Sequence, residues 1–245
     1  MYQRVRNDEC LICEGSLLKG LDLYHLLIDD CICFKCRTSL KAKINFTTFK
    51  DFRLISLYAY NEEISQVLIR YKDLLDRPLS ELFLKEYVWL INLLFKDYKI
   101  ILIPSSKTLQ ERRGFNHLKT ILKGCRLDIV DCLKKSDNIQ RFSRNREMVS
   151  FDFKYEVMNL DKVIIFDDVI TSGSSMLEAI RLIEPISNKI VLMSITKNTK
   201  RLLKKGDLHA GKSKMVWRWK RFWLYLSRGW FWYFCPLFTY IARRL

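Results

Sequence analysis

Glycine and proline are scarce, 8 and 4 in 245 residues, and this excludes a collagen-like or low-complexity fibre. No internal repeat is present. Apolar residues make up 49% against 29% charged, which excludes disorder over the whole chain. The polar opening Met1–Glu9 runs straight into cysteines with no apolar segment of signal-peptide type, so a cytoplasmic chain is expected. Acids are scarce in one region only. From Asn198 onward twelve Lys/Arg face a single acid, Asp207, a net of +11. The rest carries 31 basic and 26 acidic groups, a net of +5 out of the formal +16. The sequence thus reads as a mildly basic globular part and a cationic tail, with length enough for about one to two domains and a sizeable core.

Cysteine is not scarce. Five of eight lie between Cys10 and Cys36. Cys10-Leu11-Ile12-Cys13 and Cys33-Phe34-Lys35-Cys36 are two C-x2-C knuckles, and each two-residue spacer lets both sulfurs face one point. In a reducing compartment this favours four thiolates on one Zn²⁺ over disulfides. Cys10, Cys13, Cys33 and Cys36 are therefore the expected ligands of a structural zinc site, Cys31 being a competitor for Cys33. Four protein ligands leave no open coordination position for hydrolytic chemistry. His25, between the knuckles, reads as a surface or packing residue.

Three short apolar runs, Ile100–Ile103, Val163–Phe166 and Ile190–Met193, have the continuous character of parallel strands buried on both faces. Helical segments fall between them, near Phe115–Lys123 and Ser174–Ile183. Before them come a β-prone run, Phe52–Tyr60, and a helix whose Ile64, Val67, Leu68, Tyr71, Leu74 and Leu75 keep an amphipathic rhythm. A second helix is expected from Pro78, carrying Leu79, Leu82, Phe83, Tyr87, Leu90 and Leu94. Alternating strands and helices predict an α/β domain with a parallel sheet, whose ligands bind at the carboxyl ends of the strands.

The most specific run is Val163-Ile164-Ile165-Phe166-Asp167-Asp168-Val169-Ile170-Thr171-Ser172-Gly173-Ser174-Ser175. It predicts a buried strand with two carboxylates at its end, a hydroxyl-rich loop, and a helix start. Free amides and the dipole at a helix N-terminus attract phosphate, and Gly173 lets the backbone approach closely. Thr171, Ser172, Ser174 and Ser175 can donate hydroxyl hydrogen bonds. Asp167 and Asp168 suit sugar hydroxyls or a magnesium shell. The pattern describes a site for a phosphorylated sugar. A second cationic strand exit, Pro104-Ser105-Ser106-Lys107 followed by Arg112 and Arg113, suits a pyrophosphate group.

The Val163–Ser175 run resembles the signature that binds 5-phosphoribosyl-1-pyrophosphate (PRPP) in type I phosphoribosyltransferases. That resemblance implies Asp167 and Asp168 on the ribose hydroxyls as the catalytic pair, with Thr171, Ser172, Gly173, Ser174 and Ser175 around the 5′-phosphate. It also implies Mg²⁺ arriving with PRPP. Arg113-Gly114-Phe115-Asn116 after the proline-led strand exit, the paired knuckles, and Leu68-Ile69-Arg70-Tyr71-Lys72 together resemble the ComF family of late competence proteins. Ser105, Ser106, Lys107 and Arg113 are accordingly expected to bind the pyrophosphate. Where the family has Gly-Asp after Tyr-Lys, this chain has Asp73-Leu74-Leu75-Asp76. The loop Lys134–Tyr155, which would close over the ligand, retains Gln140, Ser143, Arg144 and Arg146.

The expected architecture is a type I phosphoribosyltransferase-like parallel sheet flanked by helices, with a small N-terminal four-cysteine zinc module. Its divisions are 1–50 (zinc module), 51–197 (phosphoribosyltransferase-like domain) and 198–245 (basic aromatic tail). The resemblance implies a role in DNA uptake and natural transformation, with PRPP, single-stranded DNA and the competence helicase machinery as partners. The alternative is an active phosphoribosyltransferase of nucleobase salvage. Five of the six tryptophans lie in the tail. It reads as a grip on single-stranded DNA, as a peripheral membrane contact, or as a read-through or frameshift product outside the fold.

Overall fold

The computed structural model describes residues 9–17, 31–136, 149–157 and 160–198, all within one compact unit, Met1–Leu208. His25, the loop residues Gln140, Ser143, Arg144 and Arg146, and the tail beyond Asn198 lie outside the described residues. No helix of the described residues is long and apolar enough to cross a membrane.

The sheet is built from β1 (Ala42–Phe49), β2 (Phe52–Ala59), β3 (Lys99–Leu102), β4 (Ile129–Val130), β7 (Leu160–Ile170) and β8 (Ser187–Lys197), in the order β1-β2-β8-β7-β3-β4. Only the β1–β2 hairpin is antiparallel. Its two turn residues, Lys50 and Asp51, have φ of 49° and 66°, the left-handed pair that a tight hairpin of matching twist demands. A separate antiparallel pair, β5 (Leu133–Lys135) with β6 (Phe151–Phe153), takes up part of each end of the segment expected to close over the ligand.

The three apolar runs are the central strands, as expected, but two of them extend further. β7 and β8 pair over eleven residues each, up to Ile170 against Lys197. Val163, Ile165, Leu54 and Leu192 meet Met176, Ala179, Ile180 and Ile183 of α7 (Ser174–Ile183) in one buried cluster. Lys197 is 4% exposed, and its Nζ donates to the Thr47 hydroxyl at 2.7 Å, while burial pushes its pKa down to about 8.

After α1 (Phe34–Leu40), the amphipathic segment forms α2 (Glu62–Asp73), which buries Ile64, Val67, Leu68 and Tyr71. Asn61 caps it by accepting from the Ile64 amide, and Glu62 and Glu63 sit at its positive end. The continuous helix expected from Pro78 is instead a 3₁₀ turn, Arg77–Leu79, followed by two short helices, α3 (Ser80–Leu84) and α4 (Val88–Leu94). Tyrosine anchors on both sides of the break tie the segment to β2. The Tyr87 hydroxyl donates to the Leu57 carbonyl and the Tyr58 hydroxyl to that of Leu82. Two further short helices, α5 (Lys107–Arg113) and α6 (His117–Ile121), follow β3.

Candidate functional site

Because β7 continues to Ile170, Asp167 and Asp168 lie within the strand rather than past its end. Successive side chains on a strand project to opposite faces, so the two acids part company. Asp167 shares the face of Ile165 and lines a small hollow with Thr171, Ser172, Gly173, Ser174 and Ser175. Asp168 does not line that hollow. It points toward α2 and α6, 4% exposed. The expectation that both acids meet one sugar is therefore not matched by their placement.

Asp168 Oδ2 accepts from Lys72 Nζ and lies 2.9 Å from His117 Nε2, while Oδ1 accepts the Val169 amide at 2.6 Å. Burial alone would raise its pKa, but Lys72 and His117 outweigh burial and hold the carboxyl well below the usual range. Asp167 moves the other way. Burial and the neighbouring Asp168 charge raise it well above the ordinary value, although Lys72 and the Asp168 amide, which donates to Asp167 Oδ1 at 2.9 Å, oppose the rise.

The loop after Ile170 is formed as its composition predicts. Gly173 has φ 74°, a left-handed conformation in which a side chain would be strained, and it begins α7 without a side-chain cap. The amides of a helix's first turn have no acceptor within the helix, and here the Ser174 amide donates to the Ser172 hydroxyl oxygen at 3.5 Å. The Ser172 and Ser174 hydroxyls lie 2.9 Å apart. Thr171, Ser172, Gly173, Ser174, Ser175 and Asp167 are thus brought together.

The second strand exit is more dispersed. Ser105 is half-buried, its Oγ 3.5 Å from His117 Nδ1. Ser106 caps α5, its hydroxyl oxygen accepting the Leu109 amide, and Lys107 is exposed as the first residue of that helix. Arg113 is engaged by the end of α2. Its Nε donates to the Lys72 carbonyl at 3.1 Å, and its Nη2 is 3.6 Å from Asp73. A wider hollow lined by Gln110, Phe115, Asn116, Lys119 and Asp131 contains none of the expected ligand residues.

The four cysteines converge. The Sγ atoms of Cys10, Cys13, Cys33 and Cys36 lie within 4.8 Å of one another, with Cys13 and Cys33 3.7 Å apart. A tetrahedral metal with metal–sulfur bonds of about 2.3 Å requires sulfur–sulfur edges of about 3.8 Å, so this donor set fits one. The Gly15 amide and neighbouring thiols draw the exposed Cys13 thiol down to about 7, while burial pushes Cys33 and Cys36 up.

Three consecutive residues of α2 join this cluster to the strand end. The Arg70 guanidinium donates to the carbonyls of Ile12 and Leu11 in the first knuckle, at 2.8 and 3.2 Å, and pairs with Asp76 at 2.9 Å. The Tyr71 hydroxyl donates to the His117 carbonyl at 2.6 Å, and Lys72 reaches Asp168. His117 was not among the residues predicted for the site. The available signal was its position immediately after Arg-Gly-Phe-Asn, where Asn116 caps α6.

No family model matches the sequence. The chain is 24% identical over 217 residues to the competence protein ComFC of Streptococcus pneumoniae, covering 75% of this chain and 96% of that protein. It is 22% identical over 211 residues to ComFC of Bacillus subtilis, covering 68% and 85% respectively. These relatives support the resemblance to the ComF family over most of the chain. Solved structures similar to this chain include adenine phosphoribosyltransferases of Trypanosoma brucei and Rhodothermus marinus. The first has 13% identity and a TM-score of 0.39, covering 72% of this chain and 73% of that one. The second has 15% and 0.38, covering 72% and 93%.

Proposed function

We propose that this chain is a ComF-family competence accessory protein in DNA uptake and natural transformation, acting in the cytoplasm with PRPP as its ligand. The observation that carries the reading is the Thr171–Ser175 turn, which opens α7 at Gly173 and lines one hollow together with the partly buried Asp167. In this reading the turn binds the 5′-phosphate, Asp167 accepts from the ribose hydroxyls, and Ser105, Ser106 and Lys107 receive the pyrophosphate. Arg113 acts through Lys72, whose carbonyl it holds. Asp168 is assigned to orienting Lys72 and His117. Mg²⁺ enters with PRPP and offsets the pyrophosphate charge. The cysteine cluster is assigned to structural Zn²⁺, since four thiolates leave no open position. The names of the relatives support the competence role, and single-stranded DNA and the helicase machinery are the proposed macromolecular partners.

The test is calorimetry of PRPP with Mg²⁺ on zinc-loaded protein, paired with transformation frequency after Asp167→Ala. Saturable PRPP binding, with transformation reduced by the substitution, is expected. Binding without any transformation defect would overturn the competence role, and absence of binding would overturn the ligand. Pyrophosphate release that depends on an added nucleobase would instead favour the salvage enzyme.

A further inference from the structure

Ser56, Ser194 and Asp167 occupy one row across three adjacent strands. Ser56 is in register with Ser194 between β2 and β8, and Ser194 with Asp167 between β8 and β7. Residues in register on neighbouring parallel strands project to the same face, with the strands about 4.8 Å apart. Both serines are buried, 1% and 0% exposed, and neither hydroxyl has a hydrogen-bond partner among the described residues.

Two idle hydroxyls in a core are unusual, because burial removes their water partners and offers nothing in return. The rows on either side show that the sheet does not otherwise tolerate this. One row back, toward the amino ends, stand Leu54, Leu192 and Ile165, which are entirely apolar. One row forward, the equally buried Thr196 donates its hydroxyl to the Tyr58 carbonyl at 3.1 Å. The Ser56–Ser194 row differs in ending at a carboxylate that faces the ligand hollow.

We infer that Ser194, backed by Ser56, is a positioning residue for Asp167, donating to its carboxylate when a sugar ligand engages the other side. This rests on the sugar-phosphate reading of the hollow. A serine hydroxyl reaches a neighbouring side chain by rotation about one bond, with no backbone movement. The resulting series runs from Ser56 to Ser194 to Asp167, each donor polarising the next. It aims one Asp167 oxygen at the ribose diol and supports its negative charge from within the core. The hydroxyls are idle in the free protein and used in the complex, so the row costs stability and returns affinity.

The experiment measures thermal unfolding and calorimetric affinity for wild type, Ser194→Ala and Ser56→Ala, with PRPP plus Mg²⁺ as one probe and inorganic pyrophosphate plus Mg²⁺ as the other. Ser194→Ala is expected to raise Tm by about 2–4 °C. It should also weaken PRPP about ten-fold while leaving pyrophosphate, which does not reach Asp167, unchanged. Ser56→Ala is expected to weaken PRPP about two- to three-fold. Unchanged PRPP affinity in Ser194→Ala overturns the inference, as does a lower Tm or an equal loss for both probes. Wild type that fails to bind PRPP overturns the underlying reading instead, and it does so before any substitution is made.

Discussion

The two faces of β7 handle adjacent aspartates in opposite ways. On one, Asp168 is sealed against Lys72 and His117 and held ionised by them. On the other, Asp167 borders a hollow, and burial and its neighbour's charge raise its pKa. A strand's pleat therefore turns a repeated letter in the sequence into one sealed acid and one acid that lines a hollow. The difference teaches that adjacent acids on one strand have separate surroundings. The sealed face also lies next to the helix that holds the cysteine knuckle, so that helix and the hollow lie on opposite sides of a single strand.

Removing the sealed acid should break this arrangement most severely. Asp168→Ala leaves Lys72 and His117 facing each other in the interior, and loss of one partner from a buried ion pair costs about 3–5 kcal/mol. Urea unfolding is expected to show a loss of that size. A loss below about 1 kcal/mol, the range of exposed pairs, would mean that the Asp168 contacts carry no structural load. Asp167→Ala is the counterpart. It should change stability little and weaken PRPP about 10- to 100-fold, the worth of one or two hydrogen bonds to a charged group. Equal stability losses in both variants would erase the distinction between the faces.

Acid titration sharpens the comparison through its sign. The lowered pKa of Asp168 contributes stability that is present above the ordinary aspartate value of about 3.9 and is lost as pH falls below it. The raised pKa of Asp167 does the reverse. Its contribution is present below about 3.9 and is lost as pH rises through the folded value. At pH 7, Asp167→Asn should therefore be more stable than wild type by about 1 kcal/mol, and Asp168→Asn less stable. Both differences should shrink toward zero below about pH 4 in chemical denaturation. Asp167→Asn destabilised at pH 7 would reverse the assigned direction.

What could be read in advance follows from how local each signal is. The C-x2-C spacings are short-range constraints, and the four thiols meet as expected. The apolar runs marked the central strands, and Thr171–Ser175 marked the turn, because each carries its chemistry within a few residues. β1 escaped notice because Lys43, Asn45 and Thr48 are exposed on an edge strand with little apolar pattern. The fate of Asp168 depended on Lys72 and His117, 96 and 51 residues away in the chain. Strand length depended on pairing: Asp167 and Asp168 looked like a strand exit because the apolar run stops at Phe166, whereas β8 continues the ladder to Ile170.

The smallest effect concerns the connection that leads from α2 back toward the cysteine cluster. Where the ComF family has glycine before aspartate, this chain has Leu75, and Leu75 takes the left-handed conformation, φ 62°. The turn survives because Asp76 is retained. Its amide donates to the Arg70 carbonyl at 3.2 Å, and its carboxylate holds the guanidinium that grips the first knuckle. A leucine in this region costs about 1–2 kcal/mol in backbone strain, part of which a glycine gives back as unfolded-state entropy. Leu75 is 44% exposed, so removing its side chain forfeits little burial. Leu75→Gly is therefore expected to stabilise the protein by about 0.5–1 kcal/mol, read as a higher urea midpoint at constant m-value, with PRPP affinity unchanged. A lower midpoint would show that the leucine side chain contributes more through packing than its backbone costs, and the strain attributed to this turn would have to be withdrawn.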